Sequence, residues 1–139
     1  MIASKEQLAF ERFSERFFHA FLLNAPVTAS FIGRHEFDHL LPDYSPEGQK
    51  ATLHTMQELL SEAGSFTEDD LLARQRLDRK LIQGYLETQI WEAGSQHFQK
   101  GNPSLYTSEA IFGLLVLVLT DYAPAALRFM AMASRIRAL

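Results

Sequence analysis

The sequence predicts an all-α protein: five to six helices in an antiparallel array. Apolar residues recur at helical spacing through most of the 139 residues, capping signals open the periodic stretches, and no run alternates as a strand does. LLVLVL at 114–119 has strand-like composition, but its flanks are helical in pattern.

The first helix opens at a Ser4/Gln7 capping box and carries Leu8, Phe10, Phe13, Phe17 and Phe21 on its inner face. It should stop at Asn24-Ala25-Pro26, because the residue before a proline avoids the α region. A short helix follows, opened by Pro26 and closed by Gly33, with Ala29, Phe31 and Ile32 as its apolar contribution. Residues 34–44 lack periodicity and read mostly as loop. Ser45-Pro46-Glu47 then supplies a capping hydroxyl, a proline at the first helical position and an acid in the first turn. Leu53, Met56, Leu60 and Ala63 line that helix up to Gly64. Thr67-Glu68-Asp69-Asp70 starts the next, which runs toward Trp91 or Ala93 with Leu71, Leu77, Leu81, Tyr85 and Ile90 inward. After a polar connection, Thr107 or Ser108 caps a very apolar helix from Glu109 to Tyr122. Pro124 breaks it, and a last helix carries Leu127, Phe129, Met130, Met132 and Ile136.

At this length one domain, 1–139, is expected, burying about two thirds of its unfolded surface. Thirteen Lys+Arg against seventeen Asp+Glu give net charge −4, the wrong sign for a phosphate-binding surface, so no nucleic-acid partner is expected. The basic cluster Arg74, Arg76, Arg79 and Lys80 is interleaved with Asp69, Asp70 and Asp78 and reads as a solvated helix face. With no cysteine, disulfides, thiolate metal sites and cysteine nucleophiles are excluded. The N-terminus lacks a secretory h-region, and the longest apolar run, Ala110–Leu119, is half of what a membrane span needs. A cytoplasmic location and no membrane partner are the expectation.

One stretch carries a chemical signature. His35-Glu36-Phe37-Asp38-His39 fits H-E-x-x-H, in which two histidines on one helical face hold zinc and the glutamate activates the metal-bound water. His35, Glu36 and His39 are therefore the metal candidates, with Glu58 or Glu62 as a third ligand. Against them, Gly33 and Pro42 leave barely two turns of helix, and Phe37-Asp38 reads better as a structured loop with Asp38 bonding backbone amides. His19 reads as a packing residue of the first helix, and His54 and His97 have no partners in register. There is no phosphate-cradling glycine loop and no G-x-S-x-G elbow. Trp91 and Tyr106 fit a cleft lining and simple burial equally well.

FFHAFLLNAPVTASFIGRHEFDHLLPDYSPEG and NPSLYTSEAIFGLLVLVLTDYAPAALRFMAMASRIRAL together resemble the N-terminal region of a large bacterial family of unknown function, family 885. The resemblance rests on Gly33, His35, Phe37, Asp38, Leu41, Pro42, Asp43, Ser45, Asn102, Pro103, Tyr106, Tyr122, Ala123 and Pro124. It departs by one residue inserted in Asn24-Ala25-Pro26, and at His39, where the family carries a different polar residue. An essential ligand would not be the idiosyncratic position, which weighs further against a metal on this stretch. Members of that family look like zincin-type metallopeptidases whose zinc-binding helix lies in a C-terminal part. The resemblance implies that residues 1–139 match a helical wall or lid of the substrate cleft, without catalytic residues or cofactor, while zinc belongs to full-length relatives.

Two readings of the site then stand side by side. His35, Asp38 and Tyr106 come nearest a cleft, or His35 and Asp38 clamp a turn with Tyr106 packed beneath. For the whole chain the alternatives are a small metal-dependent hydrolase built on HEFDH and a standalone helical interaction module. The helical pattern runs through SRIRAL without a stop signal, as in a segment of something longer. Apolar surface should therefore be bare on the Ala110–Leu119 helix and the last helix. A missing catalytic portion or a second copy in a homo-oligomer is expected to cover it.

Overall fold

A computed structural model describes residues 4–95 and 102–139. His97 lies outside the described residues. The rest contain six α-helices, two short 3-10 turns and no strand, an all-α helical array. The helices are α1 (Lys5–Asn24), α2 (Pro26–Phe31), α3 (Pro46–Ser65), α4 (Ala73–Gly94), α5 (Pro103–Leu119) and α6 (Ala125–Ala138). They pack as two compact units, one taking most of α1 with α3 and α4, the other the end of α1 with α2, α5 and α6.

In the first unit the Ser4/Gln7 box forms as expected, each backbone N–H donating to the other side chain at 3.0 and 3.2 Å. Phe10, Phe13 and Phe17 are buried while Leu8 is exposed, so the inner stripe follows the phenylalanines. Phe66 packs edge-on to Phe10, and Tyr85 edge-on to Phe17. Ser45 caps α3 by accepting from the Gly48 N–H at 3.0 Å, and Leu59 and Ala63 are its buried residues.

The start of α4 differs from the sequence reading. The Thr67 hydroxyl bonds the Asp70 carboxylate, closing a 3-10 turn over Glu68–Asp70, and Leu71 anchors in the core. The α-helix begins only at Ala73, where the Leu72 N–H donates to Gln75 Oε1 at 3.1 Å. Its buried face carries Gln75, Ile82 and Leu86, and Leu77 and Leu81 point outward. The buried Gln75 amide donates to Gln7 O and Glu11 Oε1 at 3.2 and 2.7 Å, a polar tie that apolar periodicity does not reveal.

The second unit contains the candidate site. Here α5 starts earlier than Thr107 or Ser108, because Asn102 accepts from the Ser104 N–H at 3.1 Å and Pro103 takes the first helical position. It ends at Leu119 rather than Tyr122. Arg128 donates to the terminal carbonyls of Leu117 and Val118, both at 3.1 Å, to Ala123 O at 3.0 Å and to the Asp121 carboxylate at 3.1 Å. One guanidinium thus satisfies the C-terminal carbonyls of α5 and ties the turn into α6.

Candidate functional site

The site is built from the end of α2. Gly33 has φ +82°, the left-handed region that glycine enters without the penalty a Cβ brings. The Gly33 N–H bonds Ser30 O at 3.2 Å and the Arg34 N–H bonds Ala29 O at 2.8 Å, the paired bonds of a Schellman stop. The reversed chain then makes a 3-10 turn over His35–Phe37. Phe37 is buried with Leu22 and Ala29, while Phe31 and Ile32, expected inside, are exposed. The stop follows directly on the last turn of a helix whose inner face is Pro26, Val27, Ala29 and Ser30, so Phe31 and Ile32 fall on its outer side.

Burial of Phe37 carries Asp38 inward, and its side chain becomes the hub of a polar cluster at 5% exposure. Oδ1 accepts from the Ser30 hydroxyl at 2.5 Å. Oδ2 receives the Tyr122 phenol and His35 Nδ1, the latter at 3.0 Å. A carboxylate only accepts, so Nδ1 carries the imidazole proton. The His35 ring lies parallel on Tyr122 with centroids 3.4 Å apart. Tyr122 is pushed up to about 12, first by burial and then by its bond to the Asp38 carboxylate. Asp38 was expected to bond backbone amides; its partners are side chains from α2, the 3-10 turn and the α5–α6 turn.

Behind Ser30 stands Arg135 of α6, with 0% exposure. Its Nε donates to Leu40 O at 2.8 Å, one terminal nitrogen to Gly113 O, and the other to Pro26 O and Ser30 Oγ at 3.2 and 2.8 Å. Burial pulls its pKa down, opposed chiefly by the Asp38 charge. The order is guanidinium, serine hydroxyl, carboxylate: Ser30 accepts from the cation and donates to the anion. Gly113 lets Arg135 and α2 come close to α5, since a Cβ there would meet side-chain atoms of Leu41 and Val27 at 3.1 Å.

Serine, histidine and aspartate are all present, but not as a nucleophile. Ser30 bonds the carboxylate rather than the imidazole, and it is buried. The imidazole that takes the hydroxyl proton in a serine nucleophile sits instead on the other Asp38 oxygen, away from Ser30. The metal candidates fit no better. Only three residues, His35–Phe37, are in the 3-10 turn, so His35 and His39 do not share an α-helical face. Glu36 is exposed and bonded by Arg34 at 2.8 Å, which holds its carboxyl below the usual range. Glu58 pairs with His54 at 3.4 Å, a partner not foreseen for that histidine, and Glu62 pairs with Arg16. Among the described residues no group of three His, Cys, Asp or Glu side chains is placed to hold a metal ion.

Of the three cleft candidates, the structure joins His35 to Asp38 and sets Tyr106 in the first turn of α5, edge-on to Tyr44 with centroids 4.9 Å apart. The phenol at Asp38 is Tyr122. Burial, with the Glu109 charge next, pushes Tyr44 up to about 12. Glu109 is itself pushed up by burial, and its Oε2 is buried without a hydrogen-bond partner. Ser30, Tyr122 and Arg135 were missed as site residues; Arg135 had one visible signal, a cation that follows the apolar run FMAMA within the last helix.

Compared with known proteins, the chain matches no family model, no curated protein and no solved structure.

Proposed function

We propose that these residues form a non-catalytic helical scaffold, similar to the cleft-wall region of the family 885 metallopeptidase-like proteins, with α5 presenting a seat for a catalytic portion carried outside residues 1–139. One observation carries the reading: from Ala110 to Leu119, α5 is apolar on every side. Between Glu109 and Asp121 it has no charged residue. Gly113, Val116 and Leu117 are buried, whereas Ile111, Phe112, Leu115, Val118 and Leu119 are exposed. At about 100° per residue those five fall within roughly 120° of arc, opposite the buried face. A helix apolar all round is covered on both sides in a finished assembly, and a bare face of this kind marks an interaction surface. The Asp38 cluster supports the same reading, since every donor near its carboxylate is already spent on holding the fold.

The test uses the purified chain. Zinc added in excess and dialysed away should leave substoichiometric metal and no peptide cleavage; stoichiometric zinc that disappears in His39→Ala overturns the scaffold reading. The double variant Leu115→Lys/Val118→Lys should stay close to the parent's melting point, because both side chains lie on the side of α5 away from the core, while binding of a hydrophobic dye falls sharply. Unchanged dye binding would remove α5 as the seat.

A further inference from the structure

A second bare stripe lies on α4, and its spacing differs from that of α5. Leu77, Leu81, Gly84, Thr88 and Trp91 succeed one another at four, three, four and three residues, the repeat of a two-helix seam. The large members are exposed by 58%, 64% and 72% for Leu77, Leu81 and Trp91. A Cβ on Gly84 would meet nothing within 4 Å, so the helix surface there is open to another backbone. The buried face of α4 lies on the other side, at Gln75, Ile82 and Leu86. The stripe therefore contributes nothing to the core of its own unit.

We infer that α4 pairs with α4 of a second copy of this chain, antiparallel, about a two-fold axis lying between Leu81 and Gly84. The charges flanking the seam select this occupant. Lys80 and Glu87 sit one heptad apart on the same flank of the stripe. Antiparallel pairing sets like flanks against each other, so Lys80 of one copy meets Glu87 of the other, and the two-fold repeats the pair. The same register places Leu81 opposite the gap at Gly84, Leu77 opposite Thr88, and the Arg74 guanidinium over Trp91, a cation on an aromatic face. Parallel pairing would instead bring Glu87 against Glu92 of the other copy. Lys80 is held within its own chain by an exposed pair with Glu68 at 3.2 Å, and Arg74 by one with Asp78 at 3.7 Å; both are surface pairs that exchange at little cost. The α4 seam does not depend on the proposed α5 seat.

Sedimentation equilibrium, read together with the emission of Trp91, the single tryptophan, tests the assignment. The chain should dimerise, with emission moving to the blue as concentration rises. Lys80→Glu and Glu87→Lys should each weaken the dimer about tenfold or more, because each turns two attractions into two repulsions. Together, Lys80→Glu/Glu87→Lys should restore it to within about threefold of the parent. Helical circular dichroism of all variants checks that the monomer is intact, and Glu87→Lys, which breaks no intrachain pair, keeps the test open if Lys80→Glu folds poorly. A chain that stays monomeric at several hundred micromolar overturns the proposal. So does a dimer indifferent to the single reversals, a double reversal that fails to restore it, or a dimer abolished by Leu115→Lys but untouched at Lys80 and Glu87.

Discussion

Replacing Arg135 with methionine keeps most of the side-chain volume and removes the charge and every donor. Three carbonyl oxygens, those of Leu40, Gly113 and Pro26, then lose the guanidinium, and Ser30 loses the cation that polarises it toward Asp38. Pro26 O keeps a second donor, the Ser30 hydroxyl at 3.1 Å. A buried acceptor that loses its donor costs about 1 kcal/mol or more, and leaving one member of a buried ionic cluster uncompensated costs roughly 3–5 kcal/mol. The terms overlap, so the expected loss is about 4 kcal/mol. That is a large part of the stability of an ordinary domain, and it lowers Tm by roughly 10–20 °C at this size. Urea unfolding followed by helical circular dichroism, with scanning calorimetry alongside, measures it. Arg137→Met is the control two residues further along α6, where the side chain is exposed and the cost should stay under about 0.5 kcal/mol. An Arg135→Met variant within about 1 kcal/mol of the parent would refute the reasoning, because the cluster would then be ornament on a fold held elsewhere.

Gly33→Ala should cost about 1–2 kcal/mol in the same urea assay. The Cβ meets no neighbour, so the loss is that of forcing φ +82° on an L side chain, and Gly33→Asn should cost less. Alkaline titration at 295 nm should show two of the four tyrosines, Tyr44 and Tyr122, ionising near 12. Their folded values are raised above about 10 for the unfolded chain, so their contribution is complete below pH 10 and drains away toward pH 12. Tyr122→Phe should flatten part of that loss; an unaltered alkaline limb would count against the Asp38 bond. Glu109 is likewise raised, so its protonated form suits the fold and its stabilising effect fades as pH climbs through its folded value. Glu109→Gln should therefore be more stable than the parent at pH 7 and lose that advantage at pH 3, as parallel urea curves at the two pH values would show.

Helix existence was legible wherever a local rule set it. Ser4 with Gln7, Ser45 with Pro46, and the Pro26 to Gly33 frame of α2 all form as capping chemistry says. Helix faces were less legible. Leu77, Leu81, Phe31 and Ile32 satisfy a periodic pattern yet point outward, because periodicity finds an apolar stripe without saying which of two stripes meets the core. On α5 both stripes are apolar, and the pattern is silent by construction. The expectation of bare apolar surface on α5 and α6 does match the exposed Phe112, Val118, Leu119, Phe129 and Met130. At the site, the three-residue spacing of His35 and Asp38 made their pairing a local matter. Ser30 is eight residues from Asp38, but the remaining partners are 84 and 105 residues apart, Asp38 with Tyr122 and Ser30 with Arg135, and no local pattern encodes such closures.

Beside an ordinary apolar core of Leu22, Phe37, Val116 and Leu117, the second unit buries an ionic cluster and leaves a further set of apolar side chains bare, and that combination argues for the scaffold reading. A guanidinium and a carboxylate are buried, while phenylalanine, isoleucine and leucine side chains are exposed. Buried ionic clusters are poor sources of net stability, because desolvation consumes most of the attraction. Their demand for particular geometry is what they contribute. Arg135 is satisfied only when Leu40 O, Gly113 O, Pro26 O and Ser30 Oγ converge, so α2, α5 and α6 have one acceptable register. An apolar core of leucines would have tolerated several. A module that must offer α5 at a defined angle has use for that strictness.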